Sequence, residues 1–175
     1  MRFPKTLVLA CVIAGCLSAS GQDDLSNANR VLAESVHLLR QSADSDVDLV
    51  LKAVAEAYSG SGYKNNPAAE AVRSRLGSEG ERLKRDCTAV LREMSSKPGS
   101  SGAVIVHLSK AQMMSVKIYR WIRSATEMAD LAHATSGRSN AETGEYFTNL
   151  IQTHEALQDV IGAKIQTIAA DTGTK

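Results

Sequence analysis

Apolar side chains in this 175-residue chain recur at intervals of three and four through five segments, and no stretch alternates apolar with polar over a strand's length. A spacing near 3.6 gathers such residues on one face of a helix and leaves no pattern from which to build a sheet. The first segment, about residues 24–43, carries Leu25, Ala28, Leu32, Val36, Leu39 and Ala43. The second carries Val47, Val50, Leu51, Val54 and Ala57, with Ser45 and Asp48 spaced as a capping box, and stops at Ser59-Gly60-Ser61-Gly62. Aromatic residues are only 4% of the chain, so its core must come from Leu, Val, Ile, Ala and Met, a mixture suited to helix packing.

Asn66-Pro67 announces the third segment, because an Asn side chain caps helical N–H groups and proline at the first helical position gives up a donor that has no partner there. Its stripe is Ala69, Val72, Leu76, Leu83, Cys87, Val90 and Met94, with Gly80 in the one vacant place. Gly77 and Gly80 each cost about 1 kcal/mol against alanine, which predicts a kink or a close helix contact. After Lys97-Pro98-Gly99-Ser100-Ser101-Gly102 comes the most apolar segment, reaching Thr135. It carries one row through Val104, Leu108, Ala111, Ser115, Ile118, Ile122, Ala125 and Ala129, and a second through Met114, Trp121 and Met128. Two rows predict a helix touched by several others, roughly 45–50 Å long. Ser139 with Glu142 offers a cap for the last segment, whose stripe is Phe147, Leu150, His154, Leu157, Ile161, Ile165 and Ile168. Short connections favour antiparallel neighbours. The expected fold is therefore all-α, an elongated up-and-down bundle of four to five helices over residues 25–170, with a frayed tail at 171–175.

Ahead of the bundle, Arg2 and Lys5 precede an unbroken apolar run at residues 7–14, too short to span a bilayer, which reads as a signal peptide over residues 1–15. The run ends in Ile13-Ala14-Gly15-Cys16, a branched aliphatic, two small residues and a cysteine. This resembles the lipobox of bacterial lipoprotein precursors. The resemblance implies lipidation of Cys16 as the mature N-terminus, residues 16–24 as a flexible tether, and a cell-envelope location. Leu17 stands where an Asp retains many Gram-negative lipoproteins in the inner membrane, so the resemblance further implies the outer membrane. The alternative is an ordinary secretory signal cleaved near Ser20, giving a secreted soluble bundle.

The formal charge is +1, from 20 basic and 19 acidic side chains, and the loss of Arg2 and Lys5 with the signal leaves the domain near neutral. That balance argues against a nucleic-acid partner. His37, His107, His133 and His154 never fall four apart in an H-E-x-x-H pattern, and no C-x-x-C occurs, so no metal site or cofactor is expected. No nucleophile, base and orienting group can be placed together, which argues against an enzyme. His154 sits on an apolar face between Leu150 and Leu157. Such a histidine is either a ligand in a bundle core or, more commonly, a core residue satisfied by hydrogen bonds.

The charge pattern also has two readings. No acidic residue occurs between Glu93 and Glu127, while the charged residues from Glu127 to Asp159 are acidic except for Arg138. If the last two helices are antiparallel neighbours, these charges pair across their seam. Alternatively Lys117, Arg120 and Arg123, beside Tyr119 and Trp121, form a patch for a protein partner or an anionic ligand. The functional expectation is a non-enzymatic interaction module that meets a protein partner in the envelope, held to the membrane by its N-terminal lipid. The alternative is a carrier of a small apolar or amphipathic ligand between the helices.

Overall fold

The computed structural model describes the backbone of residues 22–59, 61–96, 98, 100–136 and 141–173, and their side chains except at 22–25, 136, 142–143 and 171–173. The signal, Cys16 and the cap expected from Ser139 and Glu142 lie outside these described residues. Among the latter there are five α-helices: α1 (Gln22–Gln41), α2 (Val47–Ser59), α3 (Pro67–Glu93), α4 (Ser101–Ser136) and α5 (Ala141–Gly173). No strand occurs among them.

The break expected at Ser45 does not occur. A single π-turn, Ser42–Asp46, joins α1 to α2, and its flanking residues Gln41 and Val47 keep right-handed helical dihedrals. The Ser45 hydroxyl donates to the Gln41 carbonyl at 3.0 Å instead of capping a new helix. A serine that turns back onto its own helix leaves the backbone ladder intact. The wider turn lets the apolar stripes of α1 and α2 both face inward without a loop between them. The first two segments are thus one rod, and the bundle has four rods.

The other helix starts follow the local chemistry. Asn66 Oδ1 accepts from the N–H groups of Ala68 and Ala69 at 2.9 and 3.2 Å, with Pro67 at the first helical position. Ser100 Oγ accepts from the Ala103 N–H at 3.3 Å at the head of α4.

Cross-helix bonds give the directions of the rods. Ser115 on α4 meets His154 on α5, and Gln112, one turn earlier, meets the carbonyl of Gln158, one turn later. The two helices are therefore antiparallel. Lys110 with Glu93 and Lys117 with Asp86 establish the same for α3 and α4. The rods alternate up, down, up, down, and α4 packs against every other helix, as its two apolar rows require. With 36 residues, α4 spans about 54 Å.

The core runs the length of this axis. Leu39, Val50, Leu108, Ile118, Phe147 and Ile161 are almost without exposure. Each such side chain contributes roughly 1.5–3 kcal/mol by leaving water. Val72, assigned to the core by its spacing, is instead 41% exposed. The first fully buried side chain of α3 is Leu76, and the two turns before it stand largely clear of the bundle.

Candidate functional site

The expected basic patch is exposed, but its charges are largely engaged. The Lys117 ammonium lies 3.3 Å from the Asp86 carboxylate of α3. The Arg123 guanidinium packs 5.9 Å over the Tyr119 ring and donates to its hydroxyl at 3.4 Å. Among the described residues Arg120 alone of the three has no hydrogen-bond or ion-pair partner. The expected pairing of α4 charges with α5 acids holds only in part: Arg123 is raised first by the Tyr119 hydroxyl and further by Glu127 and by Glu155 of α5, but the lysines go elsewhere. Lys110 and Lys117 project toward α3 and meet Glu93 and Asp86, because the α4–α5 seam is filled by apolar side chains and by Gln112 and Ser115. These half-exposed pairs select a neighbour more than they add stability.

His154 is fully buried and belongs to a polar cluster spread over three rods. Its Nε2 lies 3.3 Å from Ser42 Oγ in the π-turn, and its Nδ1 lies 3.0 Å from Ser115 Oγ on α4. Ser42 Oγ in turn donates to Asp46 Oδ2 at 3.4 Å, while Gln41 Nε2 and the Tyr146 hydroxyl donate to Asp46 Oδ1 at 3.4 and 3.3 Å. Both ring nitrogens are thus satisfied by serines, the hydrogen-bonded arrangement expected of a core histidine. Among the described residues no three His, Cys, Asp or Glu side chains gather as metal ligands.

Burial controls the titration of this cluster. Loss of solvent pushes His154 down to about 4. It raises the Asp46 carboxyl, against the lowering effect of its bonds to Gln41, Tyr146 and Ser42. For His154 the unfolded chain takes up a proton near pH 6.5 that the native ring refuses, so its stabilising contribution is full above 6.5 and is lost as pH falls toward 4. The full span is worth about 3 kcal/mol. Asp46 acts in the opposite sense, since its native form holds a proton above the ordinary carboxyl range and gains as pH falls through that raised value. Urea unfolding of His154→Gln between pH 7 and 4.5 is expected to show a shallower acid loss than the parent. An unchanged slope would mean that His154 is not its source.

Cys87, the one cysteine among the described residues, is 1% exposed. Its thiol is pushed up to about 12, first by burial and then by the Asp86 carboxylate. It is expected to resist alkylation at pH 8 in the folded protein and to react once urea unfolds the chain. Rapid labelling of the native protein would place it outside the core.

A groove of about 290 Å³ opens between the first turns of α3 and the last turns of α4. Its apolar wall is Val72, Leu76, Met128 and Leu131, and Arg75, Glu79 and Glu127 line it with charge. Val72 and Leu131 are 41% and 52% exposed. Leu76 in this wall is tied to α4, its carbonyl accepting from the Trp121 Nε1–H at 3.1 Å.

Local spacing missed most of these residues. Ser42, Asp46 and Tyr146 are polar and fall among caps and connections in a pattern reading. The available clue was that Ser35 and Ser42 continue the row of Ala28, Leu32 and Leu39 at helical spacing. Leu131 carried no signal beyond being an apolar residue on the polar side of α4. Comparison with protein-family models, with curated proteins and with solved structures gave no match to this chain.

Proposed function

We propose that this protein is a non-enzymatic interaction module of the cell envelope, held at a membrane by acylation at Cys16, that receives an amphipathic helix of a partner protein in the α3–α4 groove. The observation that carries the reading is the exposure of Val72 and Leu131 together in a groove with charged walls. A short apolar groove walled by charged side chains suits the apolar face of an amphipathic helix, with its polar face left to the rim. The groove lies on the surface between two helices, which favours a polypeptide occupant over a small ligand enclosed in the bundle.

The topology adds a geometric reason. α1 starts at the pole where α3 ends and α4 begins, whereas the groove lies at the level of Ser124 to Leu131, toward the opposite pole. From Ser101 to Met128 the rise along α4 is about 40 Å. An anchor joined to α1 through a short tether would therefore present the groove away from the membrane. Among the described residues no helix is long and apolar enough to cross a membrane, so attachment in this reading rests on the acylated N-terminus.

A photo-crosslinking residue at Leu131 tests the reading in cells, with Met113 as control because it is 63% exposed and lies outside the groove. The expected result is a discrete protein adduct from position 131 that is absent from position 113 and suppressed by Val72→Asp. Val72→Asp should leave the fold unchanged, being a surface substitution worth about 0.5 kcal/mol or less. Equal adducts from both positions, or none from Leu131, would overturn the reading.

A further inference from the structure

The polar cluster around the π-turn has a property that its burial alone does not require. Every donor and acceptor along one line of it can be satisfied in two opposite orders. With Asp46 ionised, the Ser42 hydroxyl donates to Asp46 Oδ2, and His154, carrying its proton on Nε2, donates to Ser42 Oγ. Ser115 then donates to His154 Nδ1. The chain ends at Ser115, where a second acceptor waits: the backbone carbonyl of His154 is 3.2 Å from the same hydroxyl oxygen.

We propose that Asp46, Ser42, His154 and Ser115 form a buried proton-ordered chain in which uptake of one proton reverses every hydrogen bond and switches His154 from its Nε2–H to its Nδ1–H tautomer. The proton balance closes on one proton from solvent. It adds at His154 Nδ1, the Nε2 proton passes to Ser42 Oγ, and the original Ser42 proton passes to Asp46 Oδ2. The final state has Asp46 donating to Ser42, Ser42 donating to His154 Nε2, and His154 Nδ1–H donating to Ser115. Ser115 turns its own proton to the His154 carbonyl. No heavy atom needs to move, because the same three separations serve both orders and the carbonyl that receives the Ser115 proton already lies within reach.

The surroundings favour this route over a buried imidazolium. Among the described residues the titratable groups in the cluster are Asp46 on the first rod and Tyr146 and His154 on α5; α4 contributes the uncharged Ser115. On α3 the buried Cys87 responds to Asp86 and Lys117 rather than to this cluster. The shift of His154 comes from desolvation alone, and that of Asp46 from desolvation and uncharged hydrogen-bond donors. A proton resting on Asp46 leaves the whole cluster neutral, whereas one resting on His154 leaves two buried charges. The reversal has a structural consequence. The bonds from Tyr146 and Gln41 to Asp46 lose their charge assistance, which roughly halves their strength, while relief of the buried charge outweighs that loss, so acid weakens the hold on Tyr146 without a net loss of stability.

Long-range ¹H–¹⁵N spectra of the full chain labelled at histidine, with the His154 signals identified by their loss in His154→Gln, test the proposal. At pH 7.5 the ring is expected in the Nε2–H form. On acidification the Nε2 and Nδ1 signals should exchange character with the same midpoint as the Asp46 carboxyl carbon. Asp46→Asn, whose amide nitrogen can donate to Ser42 as the acid would, should hold His154 in the Nδ1–H form at pH 7.5. Ser42→Ala should break the link, so that Asp46 titrates while the tautomer stays put. The proposal is overturned if both nitrogens become protonated in one step, if the tautomer ignores the Asp46 titration, or if a folded Asp46→Asn keeps the Nε2–H form. Should Asp46→Asn fail to fold, the parent and Ser42→Ala titrations decide alone.

Discussion

Gly80→Val is expected to destabilise the bundle by about 3 kcal/mol or more, while Gly77→Ala, one turn away on the same helix, should stabilise it by up to about 1 kcal/mol. The two glycines look alike in the sequence and differ only in what faces them. A Cβ on Gly80 would lie 2.8 Å from Trp121 Cζ2, 3.1 Å from Val47 Cγ1 and 3.3 Å from Leu51 Cδ1. The indole cannot retreat freely, because its Nε1–H is bonded to the Leu76 carbonyl, the same carbonyl that helix geometry pairs with the Gly80 N–H. Valine there must push α3 away from both α2 and α4. At Gly77 nothing lies within 4 Å, so alanine gains its helix propensity without a clash. Thermal unfolding followed by the fluorescence of Trp121, the chain's single tryptophan, would register Gly80→Val as a fall of about 6–12 °C. A change of less than about 2 °C would mean that the α3–α4 contact is looser than described.

The second large effect concerns location. In the parent the mature chain is expected to begin at Cys16 with acyl chains attached, and to sediment with membranes. Each buried CH₂ contributes about 0.8 kcal/mol, so several chains make release negligible. Cys16→Ser should abolish acylation completely and either leave the precursor uncleaved or divert cleavage toward Ser20. Intact-mass measurement of the native protein reads the outcome directly. A mature chain starting at Gly21 or Gln22 with no added mass would replace the anchored module by a soluble secreted bundle.

Helix content and helix faces were legible because they are local. The three-and-four spacing of Leu150, His154, Leu157 and Ile161 places four buried side chains on one face of α5 whatever lies opposite. Asn66-Pro67 starts α3 by chemistry contained in three or four residues. The vacancy at Gly80 in the apolar stripe marked α3 for a kink or a close contact, and the structure places the close contact at Gly80 and open space at Gly77. Ser45 misled because serine caps a helix from one rotamer and bonds back into it from another, and only the packing of both stripes onto α4 selects between them. Val72 misled for the related reason that periodicity marks a face without saying how far along the helix that face is covered.

The sequence by itself determined that the described residues are helical, where α3 begins, which faces turn inward, and that α4 is the helix with most neighbours. Only the tertiary structure decided that residues 22–59 form one rod through a π-turn, and that Lys110 and Lys117 answer to α3 rather than α5. It alone joined Asp46 to Tyr146 across 100 positions and Ser42 to His154 across 112, and it alone left Val72 beside Leu131 in an open groove. The division has one physical cause. A helix face is set by backbone geometry within a few residues, whereas the partner of that face depends on which rods lie side by side and at what height, and no periodicity within one helix contains that information.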